Sequence, residues 1–129
     1  YTVARYAFTD TNDVTSVAQT AADNSDVIYI PTDNTAASNT EAIANVLVPA
    51  GVPAICGEEG ICKGCGVATL SIDYYELGRT TGEMAVKILK GEAKPEDMEI
   101  KHLSSKDLVV VKNDEMAEAL GIDLSALDE

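Results

Sequence analysis

The sequence predicts an α/β fold: a three-layer α/β/α arrangement around a mostly parallel sheet. Three observations carry the prediction. Short apolar runs, Val27 to Ile30, Val52 to Cys56 and Val67 to Ile72, are bounded by turn formers. Segments with helical spacing of apolar residues recur between runs, and alternation on that scale implies parallel strands joined by helical crossovers. Each run also empties into a polar tip: Pro31-Thr-Asp-Asn-Thr35, Gly57-Glu-Glu-Gly60 and Asp73-Tyr-Tyr75.

Thr2 to Phe8 is strand-like, with β-branched and aromatic residues and no breaker. Thr9 to Asp13 is a further polar tip, and Val14, Val17, Ala18 and Ala21 then share one helical face. Ala22 to Asp26 is a turn. Pro31 cannot donate to a ladder and ends the strand Val27 to Ile30. Asp33, Asn34 and Thr35 are each able to cap the next helix, whose apolar positions include Ala36, Ile43 and Leu47 and which runs to about Val48. Pro49-Ala-Gly51 ends it, and Val52 to Cys56 reads as a strand buried on both faces. Ile61 to Gly66 reads as a loop leading to Val67. A long helix carries Leu77, Thr81, Met84, Ala85 and Ile88 on one face, with Gly91 as its stop. Met98 to Leu103 and Leu108 to Val111 are strand candidates. Glu115 to Leu120 is a helix capped by Asn113 or Asp114, with Gly121 beyond its end, and Ile122 to Glu129 is a frayed tail. The predicted order is β-α-β-α-β-β-α-β-β-α.

The chain has 129 residues, enough for one domain with its own core. It opens at Tyr1 without Met and without a signal-peptide pattern, and reads as a mature, trimmed or engineered piece of a longer protein. Twenty-two acids stand against nine bases, a net charge of −13, with no cluster of Lys or Arg. A nucleic-acid footprint and docking on an anionic membrane surface are thereby excluded. Most of the acids read as a solvated surface.

If the strands are parallel, their polar tips lie along one edge of the sheet. That edge carries Asp33, Glu58, Glu59 and Asp73, with amides, hydroxyls and tyrosines, and no Lys, Arg or His. It suits an ammonium, a cation or a hydrogen-bonding polar ligand better than a phosphate. No GxSxG, GxGxxG or GxxxxGK[ST] pattern occurs, and a base–nucleophile pair would need the single histidine, His102, which sits in or near a strand late in the chain. No enzyme activity and no cofactor are expected. The three cysteines, Cys56, Cys62 and Cys65, are too few for a disulfide framework or a four-ligand zinc site. A reversible Cys62–Cys65 disulfide is one alternative. The reading adopted is three small residues in and beside a loop, without chemistry and without a metal.

The stretches VIYIPTDNTAAS, VPAICGEEG and GVATLSIDYYELGRTTGEMAVKILKGEAKPEDM, in that order, resemble the substrate-binding components of ABC transporters, in particular the tryptophan or aromatic amino-acid binding type. The resemblance spans about Val3 to Gly121. It implies a type I periplasmic-binding fold of two lobes joined by crossing strands, of which this chain matches the second half. Residues 1–72 would then belong to the C-terminal lobe, 73–103 to a hinge crossing and a helix that packs on the first lobe, 104–121 to a return segment and C-terminal helix, and 122–129 to a tail. By resemblance Asp33, Asn34, Thr35, Glu59, Asp73 and Tyr74 face the ligand cleft. The simpler alternative is that Asp33 and Asp73 are helix caps and that one of Tyr74 and Tyr75 is core. Cys62-Lys-Gly-Cys65 departs from the polar and glycine residues usual there.

The resemblance implies an extracytoplasmic, lipid-anchored solute-binding protein that delivers a small ligand, an amino acid, to a membrane permease. A sensory domain of the same fold joined to a signalling protein is the alternative, and a flavodoxin-like or receiver domain a weaker one. A bare apolar face on the Leu77–Lys90 helix would drive the isolated chain to a dimer or a swapped dimer.

Overall fold

Capping side chains decide where most of the helices begin. The computed structural model describes residues 1–102 and 108–128. In chain order its elements are α1 (Val14–Ala22), β1 (Ile28–Ile30), α2 (Asn34–Ala37), α3 (Thr40–Ala50), β2 (Ala54–Cys56), α4 (Glu59–Cys65), β3 (Ala68–Ile72), α5 (Tyr74–Leu89), β4 (Leu108–Lys112) and α6 (Asp114–Leu120). Side-chain oxygens of Asp33, Glu58, Asp73 and Asn113 accept from backbone N–H groups in the first turns of α2, α4, α5 and α6. α1 is entered through a 3-10 turn, Thr11–Asp13, capped by Asp10. Gly51 and Gly121 take the left-handed conformation that closes α3 and α6. Pro49 falls within the last turn of α3, so the helix ends at Gly51 and not before the proline.

The sheet has the order β1-β2-β3-β4. β1 pairs parallel with β2 (Ile28↔Ala54, Ile30↔Cys56), and β2 parallel with β3 (Ile55↔Ala68, Cys56↔Thr69). The fold is therefore α/β with a mostly parallel sheet, as the alternation predicts. One face of β1 and β2 presents Ile30, Ala54 and Cys56 to a core that includes Val14, Ile43, Leu47, Ile61, Cys62 and Cys65. Each fully buried aliphatic side chain there contributes about 1.5–3 kcal/mol. A smaller cluster joins Val67, Ala68 and Met116 to Ala44, Val48, Leu120 and Ile122.

The chain divides into two compact units, Tyr1–Ser71 with Val110–Glu129, and Ile72–Val109. The first holds both core clusters. The second holds α5, which has no buried residue.

Several expectations change. Residues 2–8 form no strand: they are largely exposed, and β-propensity without a partner ladder does not hold an isolated strand. The single helix expected after the caps Asp33, Asn34 or Thr35 and running to about Val48 is two helices, because Ser38 and Asn39 interrupt it. The strand Ala54–Cys56 is not buried on both faces, since Ile55 is 39% exposed beside its register partner Tyr29 at 65%. The expected loop from Ile61 is helix α4, whose Ile61, Cys62 and Cys65 are buried at helical spacing. Met98 to His102 is not a strand, and Leu103 lies outside the described residues. The tail is not simply frayed: Ile122 packs against the cluster of Val67, Ala68 and Met116, Ser125–Leu127 makes a 3-10 turn, and Asp128 pairs with Lys112.

Leu47 is 1% exposed at the centre of the larger core. Leu47→Ala is expected to lower unfolding stability by about 3 kcal/mol, read as a fall in the urea midpoint with little change in slope.

Candidate functional site

Parallel pairing of Ile30 with Cys56 makes the residues that follow them neighbours. The Gly57 N–H donates to the Ile30 carbonyl at 2.8 Å. A Cβ on Gly57 would stand 2.7 Å from the Thr32 backbone nitrogen and 3.1 Å from its Oγ1. Only glycine fits without moving the Pro31–Thr32 backbone. The tips 31–35 and 57–60 are thus packed side by side in the first unit.

On the first tip, the half-buried Asp33 turns Oδ1 to the Ala36 N–H at 2.8 Å. Asn34 and Thr35 are the opening residues of α2, and their carbonyls accept from Ser38 Oγ at 2.8 Å and Asn39 Nδ2 at 2.7 Å. On the second tip the two carboxylates face different ways. Glu58 folds back on its own helix, with Oε2 accepting from Gly60 N–H at 2.7 Å and Oε1 accepting from Ile61 N–H. Glu59 is partly exposed and forms an ion pair with Lys63 one turn along α4. Sequence reasoning selected Glu59 and passed over Glu58 and Thr32. The signal for Glu58 was its place three residues before the buried Ile61.

Asp73 and Tyr74 belong to the second unit. Asp73 is exposed and caps α5, Oδ1 accepting from Tyr75 N–H at 2.9 Å and Glu76 N–H at 3.1 Å. Tyr74 is 51% exposed and Tyr75 78%, so neither is core. Further along α5, Arg79 bridges Glu76 and Glu83. An open groove of about 470 Å³ runs along the same helix past Gly82, Val86 and Lys90, and none of the sequence-selected residues lines it.

The cysteines lie in the core and not in a loop. Cys62 Sγ donates to the Val111 carbonyl at 3.7 Å, Cys65 Sγ donates to the Ile61 carbonyl at 3.4 Å, and Cys56 and Cys65 hydrogen-bond to each other. That bond, with burial, pushes the Cys56 thiol well above its ordinary range, and Cys65, as acceptor, moves down. Burial pushes Cys62 up to about 11. Among the described residues no group of three or more His, Cys, Asp or Glu is placed to hold one metal ion.

Residues 1–126 match the family described as ABC transporter substrate binding protein. The chain belongs to that family. A tyrosine-binding protein of Clostridioides difficile is 27% identical over 128 residues, covering 99% of this chain and 36% of the relative. The structure of an ABC domain in complex with L-Trp from Streptococcus pneumonia matches with a TM-score of 0.86 at 32% identity, over 99% of this chain and 43% of that one. A ligand-free, open substrate-binding protein with adhesive properties from Clostridium difficile matches with a TM-score of 0.70 at 32% identity, over 95% and 41%. The chain thus spans about two fifths of the ABC substrate-binding proteins it matches.

Gly57→Ala is expected to cost about 2 kcal/mol of stability, because the Cβ meets backbone and not a flexible side chain; chemical denaturation measures it. A second expectation concerns alkaline pH. The folded state holds the Cys62 proton more tightly than the unfolded chain, so this stabilisation is present below the ordinary value of 9.0 and lost as pH rises toward about 11. Cys62→Ala should flatten the stability profile across that interval.

Proposed function

We propose that this chain is part of the extracytoplasmic solute-binding component of an ABC importer, and that its ligand is an amino acid with an aromatic side chain. The observation that carries the reading is the packing of Gly57 on Thr32, which brings two acid-bearing strand ends together in the first unit. Asp33 spends one carboxylate oxygen on its cap, and the other is the proposed acceptor for an α-ammonium. The Asn34 amide and Thr35 hydroxyl supply further hydrogen bonds, and Glu59 adds negative potential. Asp73 and Tyr74 are proposed ligand contacts on the second unit, Tyr74 offering an exposed ring to an aromatic side chain. Family membership, a tyrosine-binding relative and a relative solved with L-Trp support the ligand class. Delivery to a membrane permease, lipid anchoring and closure of two lobes around the ligand belong to the same proposal.

The chain contains no tryptophan, so the emission of L-tryptophan as ligand is read against a dark protein background. Titrating the chain into fixed L-tryptophan should raise its fluorescence anisotropy with a dissociation constant of about 1 mM, since partial enclosure forfeits contacts. Asp33→Ala should weaken binding about tenfold, the loss of one charge-assisted hydrogen bond. Equal binding by the variant would remove Asp33 from the site, and no rise with either protein would remove aromatic amino acids as ligands of this chain. The exposed apolar residues of α5, Leu89 foremost at 87%, further support self-association of the isolated chain; sedimentation should show a dimer, and a monomer at high concentration would contradict it.

A further inference from the structure

We propose that the open edge of β1 is an interface for a second copy of this chain, whose residues 2–8 add to it as a strand. The proposal is independent of the ligand and of α5. It rests first on the backbone. β1 stands at the end of the sheet, and among the described residues its one ladder runs to β2. The Ile28 N–H donates to the Pro53 carbonyl at 2.9 Å, and the Ile30 carbonyl accepts from the Gly57 N–H at 2.8 Å. Ile28 and Ile30 therefore face β2. By the alternation of a parallel ladder, the N–H and C=O of Tyr29 point the other way, to the open edge. The sheet face beside that edge is bare as well. Val27 is 55% exposed, Tyr29 65%, Ile55 39% and Leu70 59%, on the side opposite Ile30, Ala54 and Cys56, which the core covers. Parallel strands are ordinarily covered on both faces, and an uncovered edge with an apolar face is a template for another strand.

The chain carries a strand that fits. Thr2 to Phe8 has the β-branched and aromatic composition of a strand, yet it forms no ladder, and Tyr1, Val3 and Tyr6 are exposed. Only its last residue, Phe8, packs against the core cluster. Charge selects a second copy as the occupant. A net charge of −13 makes most of one copy's surface repel another. Tyr1 to Thr9 is different, because it holds Arg5 and the amino terminus and no acid. β1 is entered past Asp23 and Asp26 and left past Asp33. Laying the cationic arm of one copy on the β1 edge of the other is thus a contact in which the charges attract. In either register a large side chain of the arm, Val3 or Tyr6, falls on the face of Tyr29. Exchange of both arms closes a two-fold dimer and pairs both β1 edges. Strand addition of this kind takes its affinity from main-chain hydrogen bonds.

The test uses the chain with Leu89→Asp, which removes the most exposed apolar residue of α5 and so separates this interface from any association through that helix. Sedimentation should still show a dimer. In a mixture of isotope-labelled and unlabelled copies, isotope-filtered NMR should find contacts between residues 2–8 of one copy and Val27 to Ile30 of the other. Exchange of the Tyr29 amide should slow about tenfold when the chain is concentrated about a hundredfold, as mass action for a dimer requires. Removal of residues 1–7, which keeps Phe8 on the core, should give a monomer whose Tyr29 amide exchanges fast at every concentration. Arg5→Glu should weaken the dimer. A monomer at high concentration would overturn the proposal, whether its Tyr29 amide is fast or is protected by the chain's own arm. A dimer that survives removal of residues 1–7 would overturn it too, since the edge or the face would then pair without the arm. The labelled wild-type mixture decides the matter even if a variant fails to fold.

Discussion

The close approach of Gly57 to Thr32 is the constraint on which the rest of the candidate site depends. It follows from parallel pairing of two three-residue strands, which sets their ends level and leaves the next residues in contact. A side chain at Gly57 would separate the tips and undo the hydrogen bond from its N–H to Ile30. With glycine there, the acid-bearing turn before α2 and the acid-bearing turn before α4 share one edge of the first unit. The carboxylates hold those turns in shape before they do anything else. Asp33 and Glu58 satisfy N–H groups that no intrahelical acceptor reaches, and in doing so are fixed in place.

Helix α4 links this edge to the core. Its polar start belongs to the second tip, and its buried residues Ile61, Cys62 and Cys65 pack under β2 with Leu47 and Ile43 of α3. The same seven-residue helix therefore sets the position of the Glu58 cap and the environment of all three thiols. Its sequence is a poor helix former, with glycines at 60 and 64. Tertiary burial and the Glu58 cap hold it in place of propensity.

That conflict explains where the sequence was opaque. Ile61 to Gly66 reads as a loop because two glycines and a CxxC outweigh three apolar positions in any local count, yet those apolar positions decide the outcome once β2 lies beside them. Thr2 to Phe8 reads as a strand because its residues favour one, and local preference says nothing about whether a neighbouring ladder exists. The caps were legible. Asp33, Asp73 and Asn113 stand before helical patterns and cap them, and Gly51, Gly91 and Gly121 take positive φ where the helices were expected to stop. The strands β1, β2 and β3 were legible as short apolar runs closed by a proline, a glycine and an aspartate. For the candidate site, the two tips in the first unit were visible as polar punctuation, but the division of labour between Glu58 and Glu59 was not. Adjacent identical residues carry no pattern that separates a cap from an ion-pair partner of Lys63.

Amide-shift mapping of the chain by NMR, with and without L-tryptophan, tests the central claim most directly. The account predicts that the ligand shifts the amides of Asn34, Thr35 and Ala36 together with those of Glu59 and Gly60, because both tips line one edge. Shifts confined to residues away from both tips, or none at saturating ligand, would contradict it.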